Sequence, residues 1–225
     1  MNTVRINYDK LFCVPNCIID AELEITGNVQ KLFLALLSLI NIKTDELTKK
    51  PHFEFRVPVA EFADLLKLFN IYAFMPKLVK SLQHIRVNIS GHNYSVFSDV
   101  QYYKGILSVK FNSNFIKAAY SLHSCTEFKL REIQPLRFTH SPKIYMWLKE
   151  YSRHGSMTIS VEQFRKLIGI AHKYLNGNFA GQILKKAQDE LKNTLADFDF
   201  EFVKVDSRYD TIKFTLLSFA NERRE

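Results

Sequence analysis

Five apolar positions return along this chain at one offset. Val57, Val59, Phe62, Leu65 and Leu66 recur as Ile159, Val161, Phe164, Leu167 and Ile168, each 102 positions further along the chain. A repeat at that spacing means one supersecondary module used twice, each copy burying the same stripe of side chains. The length of 225 residues agrees, since it gives two domains of roughly 100 residues, each able to hold its own core.

The second copy shows what the module is. Ser160 is an N-cap with Gln163 at the capping-box position, and Val161, Phe164, Leu167 and Ile168 follow at helical spacing until Gly169 ends the helix. A longer helix opens near Asn178 as N-cap. It carries Ala180, Ile183, Leu184, Ala187, Leu191 and Thr194 on one face and Gln182, Lys185, Lys186 and Asp189 on the other. Two alternating stretches, Phe198 to Val205 and Thr211 to Leu216, flank a polar turn and make a hairpin with Arg208 at its tip. Short helix, longer helix and hairpin in that order are a winged helix. Upstream, Ser141-Pro142 starts a helix with Ile144, Tyr145, Trp147, Leu148 and Tyr151 available for the core, ending at Tyr151 to Gly155.

The first copy reads the same way. Residues 2–24 form an extended arm, and Thr26-Gly-Asn caps a core helix with Val29, Leu32, Phe33, Leu36, Leu37 and Ile40. After a charged loop over 43–52 comes a strand, Phe53 to Val57, and Pro58 opens a helix through Leu68. A further helix starting at Met75-Pro76 turns Leu78, Val79, Leu82 and Ile85 inward and Lys77, Lys80, Ser81 and His84 outward. Strands Ile85 to Ser90, Tyr94 to Tyr103 and Ile106 to Phe111 complete the first wing. A helix over Asn112 to Leu122 joins the modules, and Phe128 to Leu130 is a short strand or turn opening the second. The expected architecture is therefore α+β, two tandem winged-helix domains related by internal duplication, residues 1–122 and 123–225.

Charge narrows the class of partner. Lys plus Arg number 31 against 23 Asp plus Glu, a net charge of +8 with a pI near 9.3, which favours an anionic partner such as nucleic acid. Cys13, Cys17 and Cys125 form no paired C-x-x-C set and read as reduced structural thiols, with no metal-like His spacing beside them. No signal peptide is expected, and the most apolar run, Leu32 to Ile40, is far shorter than the roughly 20 residues a membrane span needs. A cytoplasmic protein is expected. No Gly-x-x-x-x-Gly-Lys loop is present for a nucleotide, and no His-apolar-His pair accompanies the tyrosines as a nickase would need. The chain reads as a binder without catalysis, cofactor or metal.

These residues resemble the iteron-binding plasmid replication initiators, a family built from two winged-helix domains. Ser141-Pro-Lys-Ile-Tyr-Met-Trp-Leu148 is similar to that family's helix motif, although here Tyr145 follows Ile144 directly and Trp147 is added. Ile159 to Ile170 with Tyr174 resembles its Leu-Arg-x-x-Leu-Gly-Ile segment and trailing Tyr. Phe179, Leu184, Ala187, Glu190 and Asn193 fall where its recognition helix has matching residues, and Arg208 with Phe214 resembles its wing. The likeness spans Val29 to Phe219. One departure stands out, for Ala180-Gly181-Gln182 occupies the place where members carry basic residues, so their base-reading residues cannot be carried over. The resemblance implies monomer binding at direct repeats of an origin, opening of theta-type replication and recruitment of host replication proteins. It also implies copy control by a dimer, formed through the first domain, that represses the initiator's own promoter.

From the residues themselves, Asn178, Gln182 and Lys185 are the candidates for base edges in the major groove, and Lys173, Lys186 and Arg208 for phosphates. Asp189 on the same face disfavours phosphate and should mark where contact fades. Lys77, Lys80 and His84 are the counterparts in the first module. Two modules on one chain are expected to cover about two turns of duplex asymmetrically. Two other readings of the same residues remain open, a winged-helix transcriptional repressor without a replication role and a protein-interaction module.

Overall fold

A computed structural model describes residues 3–23, 25, 27–40, 53–121, 124–170, 179–192, 194–205 and 208–217, with only the backbone of residues 205, 208 and 209. The chain divides into two compact units. One comprises Met1–Ala21 with Asn28–Pro135, the other Glu22–Gly27 with Leu136–Glu225.

In the first unit, strand β1 (Phe12–Pro15) and the short helix α1 (Asn16–Ile19) precede helix α2 (Gly27–Leu37), then strand β2 (Glu54–Pro58). A 3-10 turn over Val59–Phe62 passes into helix α3 (Ala63–Leu66), which Lys67 ends in the left-handed conformation. The next helix, α4 (Ile71–Gln83), starts earlier than the sequence suggests. Asn70 rather than Met75-Pro76 is its beginning, because the Asn70 side chain accepts the Ala73 N–H at 3.2 Å and Ile71 and Met75 add a turn to the buried stripe. Pro76 therefore lies inside the helix, where the cap and the buried side chains offset its missing N–H.

Strands β3 (Arg86–Ile89), β4 (His92–Ser95), β5 (Phe97–Tyr103) and β6 (Ile106–Phe111) follow, then helix α5 (Ser113–Tyr120). The single strand expected over Tyr94 to Tyr103 is split at Val96. That residue is fully buried, its N–H donates to the Ile85 carbonyl and its carbonyl accepts from Asn112, so β3 and β4 form a separate hairpin. The main sheet has the order β2-β6-β5, all antiparallel. Val57, Val59, Phe62, Leu65 and Leu66, the repeated stripe, are buried in its core beside Phe33, Phe97 and Phe111.

The arm is not a loose leader. Thr3 bridges Arg56 in parallel, the Val4 N–H donates to the Arg56 carbonyl, and the Tyr8 hydroxyl donates to the Glu61 carbonyl, covering the outer edge of β2. Strand β1 pairs antiparallel with β7 (Cys125–Phe128), and Cys13 is bonded through sulfur to Cys125 with the Cα atoms 5.8 Å apart. The expectation of three separate thiols is corrected: strand pairing brings together two cysteines 112 residues apart, which spacing alone could not reveal. Cys17 stays outside that bond and lies near the Ala119 carbonyl. The same pairing explains the boundary. The expected break between 122 and 123, residues outside the described set, comes ahead of the observed one, since β7 and helix α6 (Leu130–Ile133) join the first unit.

The second unit runs from helix α7 (Ser141–Glu150) through strand β8 (Ser156–Ser160) and helix α8 (Val161–Leu167). A π-helical turn over Ala180–Leu184 then continues as helix α9 (Lys185–Leu191), and strands β9 (Phe198–Val205) and β10 (Arg208–Leu216) close the unit. Its sheet order, β8-β10-β9, repeats the first-unit pattern in which the last strand lies between the other two. The Ser160 side chain accepts the Gln163 N–H at 3.1 Å, as its capping position requires. The core is aromatic: Trp147, Phe164, Phe198 and Phe214 pack with ring centroids between 5.0 and 5.6 Å apart, and Phe179 meets Phe164 at 6.2 Å.

Candidate nucleic-acid interface

Each module leaves one side of its second helix uncovered. In α4 the buried side is Ile71, Met75, Leu78, Val79 and Leu82, a helical stripe that fixes the helix against its sheet. Gln83 adds a fastening by donating to the Val100 carbonyl of β5 at 2.9 Å. Lys77 and Lys80 consequently stand exposed on the outer side, at positions three apart. His84 is exposed as well, but its Nδ1 lies 2.6 Å from the Lys80 carbonyl, where it donates as a cap for the helix end. Its second ring nitrogen is what remains for another partner.

The wing of this module is the β5-β6 hairpin. Lys104 and Gly105 form its two-residue turn with φ of 46° and 77°, the paired positive values such a tight turn needs. The Val59 N–H donates to the Gly105 carbonyl at 2.8 Å, and a side chain on Gly105 would come 3.7 Å from the Tyr72 ring. The turn is thereby tied to the helix start at Val59 and lies close to α4. Between Lys67 and Ser98 the chain contains Lys67, Lys77, Lys80 and Arg86 and no Asp or Glu. Counting basic residues alone misses this; the absence of acids is the signal.

The second module is arranged differently. Gln182 is exposed on the π-helical turn and Lys185 and Lys186 are exposed on α9, so the three side chains lie on one outward side. Lys185 is already engaged, its ammonium 3.1 Å from Asp189 and donating to the Gln188 side-chain carbonyl at 2.9 Å. Lys186 sits 5.9 Å from the centre of the Phe138 ring. Arg208 begins β10, where its backbone pairs with Val205 and the register shifts before Thr211. Asn178 and Lys173 lie outside the described residues, as do Tyr174 and Asn193.

Three residues that hold this helix in place were not legible as such. Glu190 accepts the backbone N–H groups of Arg137 and Phe138 with both carboxylate oxygens. Gln188 donates to the Phe198 carbonyl at 3.0 Å and to Asp199 at 2.7 Å, tying α9 to β9. The Arg165 guanidinium stacks 4.9 Å over the Phe179 ring, linking α8 to the start of the π-helical turn. On α8, the Lys166 ammonium donates to the Glu162 carboxylate at 2.8 Å, and that bond holds the Lys166 pKa above its ordinary value. Among the described residues no group of three or more His, Cys, Asp or Glu side chains could hold a metal, and no helix is long and apolar enough to cross a membrane.

Comparison with known proteins bears on both units. Residues 13–149 match the family model described as initiator replication protein, WH1, and residues 160–216 match that of initiator Rep protein, WH2. A crystal structure of Pi initiator protein in complex with iteron DNA shares the fold with a TM-score of 0.72, at 17% identity, over 94% of this chain and 98% of that one. A search of curated proteins by sequence finds no match.

Proposed function

Because the chain belongs to the replication-initiator family with paired winged-helix domains, we propose that it binds direct repeats of duplex DNA at a plasmid origin and starts theta-type replication there. The observation that carries this reading is the repeated sheet order, each copy leaving a helix side outward, the first of them in a stretch free of acidic residues. A helix of about 10–12 Å diameter fits the major groove. Gln182 is the base-reading candidate of the second module, with Lys185, Lys186 and Arg208 for nearby bases and phosphates. Lys77 and Lys80 serve the first module's phosphates, and His84 joins them only as an imidazolium, whose Nε2–H donates while Nδ1–H stays on the Lys80 carbonyl. Asn178 and Lys173 complete the set proposed from the sequence.

The chain acts as a binder, with strand opening driven by DNA contacts and by host replication proteins that it recruits. A dimer formed through the first unit restrains copy number by occupying the promoter of its own gene. The protein works in the cytoplasm, where its plasmid is.

One experiment tests the whole reading. The gene with its flanking DNA is placed on a vector that cannot otherwise replicate, with a copy lacking the gene as control. Retention only with the gene, together with salt-dependent protection of tandem direct repeats, is the expected result. Loss of both vectors, or protection of one inverted repeat alone, would leave a repressor and overturn the initiator.

A further inference from the structure

The outward side of α4 changes character along its length. Lys77, Lys80 and His84 occupy its second half, whereas the approach and first half present Phe69, Tyr72, Ala73 and Pro76, all exposed. Phe69 is fully exposed, Tyr72 is half exposed, and Tyr103 beside the wing turn is 70% exposed. Large apolar side chains gathered at one exposed place mark a contact surface. Asn70, the polar side chain within this group, is turned into the helix end by its bond to the Ala73 N–H. Where the second module offers the amide of Gln182, the first offers aromatic rings and a proline.

Charge identifies what covers this surface. Lys77 and Lys80 continue it along the helix, the Lys104 ammonium lies 5.2 Å from the Tyr103 ring, and no Asp or Glu occurs between Lys67 and Ser98. Two copies of the same face would bring like charges together, which disfavours self-association. A polyanion carrying apolar groups satisfies both features, and in the major groove that group is the C5 methyl of thymine. We propose that the first half of α4, through Phe69 and Tyr72, selects repeats by contact with thymine methyl groups, while Lys77 and Lys80 hold the flanking phosphates. This rests on the DNA-binding function proposed above and assigns the first module its own part in specificity.

The test removes the methyl and nothing else. The full chain selects duplexes from a random-sequence pool, and the recovered duplex is remade with deoxyuridine for thymidine in one half, then in the other. Base pairing and hydrogen-bonding edges are unchanged. Substitution in one half should weaken binding about fourfold for each contacted methyl, the transfer value of a buried methylene converted to a binding ratio. The other half should change affinity by less than about twofold. Phe69→Ala with Tyr72→Ala should bind the thymidine duplex more weakly and no longer distinguish it from the deoxyuridine duplex. Tyr72→Phe and Gln182→Ala should both keep the distinction.

Deoxyuridine without effect in either half, or a double variant that still distinguishes the two duplexes, overturns the proposal. So does a double variant that alters only the association state of DNA-free protein, which would make the face a contact between copies. Failure to recover any preferred duplex would instead sink the DNA-binding function on which the proposal stands.

Discussion

In the first module the outward helix is regular for 13 residues, capped at Asn70 and His84, and its basic side chains face solvent without acidic neighbours on the helix. In the second, the same segment is a π-helical turn running into a seven-residue helix, and Lys185, Gln188 and Glu190 are spent on bonds within the unit. The two sheets nevertheless share one strand order. Duplication has kept what the core demands, because a changed buried side chain costs stability in either copy, while the exposed side was free to diverge. Similar scaffolds thus arrive at unlike outward surfaces.

The largest expected effects test the shared part. Phe62 and Phe164 are both fully buried at equivalent positions, so Phe62→Ala and Phe164→Ala should each destabilise their own unit by about 3–5 kcal/mol. Trp147, the one tryptophan of the chain, lies 5.4 Å from Phe164 and reports on the second unit. Denaturant unfolding followed by its fluorescence should shift strongly for Phe164→Ala and little for Phe62→Ala, whose loss appears in the circular dichroism. Equal shifts of the fluorescence midpoint would show that the two units do not unfold separately.

The shared part is also what the sequence displayed most clearly. Apolar spacing located the repeated stripe because burial imposes one period on both copies, and Ser160 could be named as a cap because its side chain acts on a backbone group three residues away. Features made by distant residues were hidden. The sulfur bond between Cys13 and Cys125 and the Glu190 carboxylate on Arg137 and Phe138 depend on which segments meet, and no local pattern encodes that. The start of α4 was missed for another reason: Pro76 is a strong local signal for a first turn, and here Asn70 and the buried Ile71 outweigh it. On the candidate surface, sequence alone identifies Lys77, Lys80, Gln182, Lys185 and Lys186 as outward, and all five are exposed. It did not show that Lys185 is held by Asp189 and Gln188, since exposure and pairing are separate properties.

A smaller effect separates the two surfaces. Lys77→Ala with Lys80→Ala removes two cations from an acid-free stretch, so the slope of log affinity against log salt should flatten by about 1.8, the value for two phosphate contacts on duplex DNA. Lys185→Ala with Lys186→Ala should flatten it by only about half as much, because Lys185 shares its charge with Asp189 at 3.1 Å. Titration of one duplex at several salt concentrations measures both. Equal slopes would mean that DNA binding breaks the Lys185 pair without hindrance, and the contrast between modules would vanish from the bound state.

The smallest expected effect asks whether that pair matters. Asp189→Asn leaves a side chain of the same shape and removes one negative charge beside the proposed phosphate contacts. Helix stability should fall by only about 0.3–0.5 kcal/mol, since Lys185 and Asp189 are an exposed pair four residues apart. Affinity for the repeat should rise by about two- to threefold at low salt, with a steeper salt slope, as Lys185 becomes available to a phosphate. The Lys185→Ala, Asp189→Asn double variant should lose the part of the gain that depends on the lysine and keep the part due to reduced repulsion. If Asp189→Asn raises affinity equally with and without Lys185, the carboxylate acts on DNA directly and the ion pair has no part in restraining the second module.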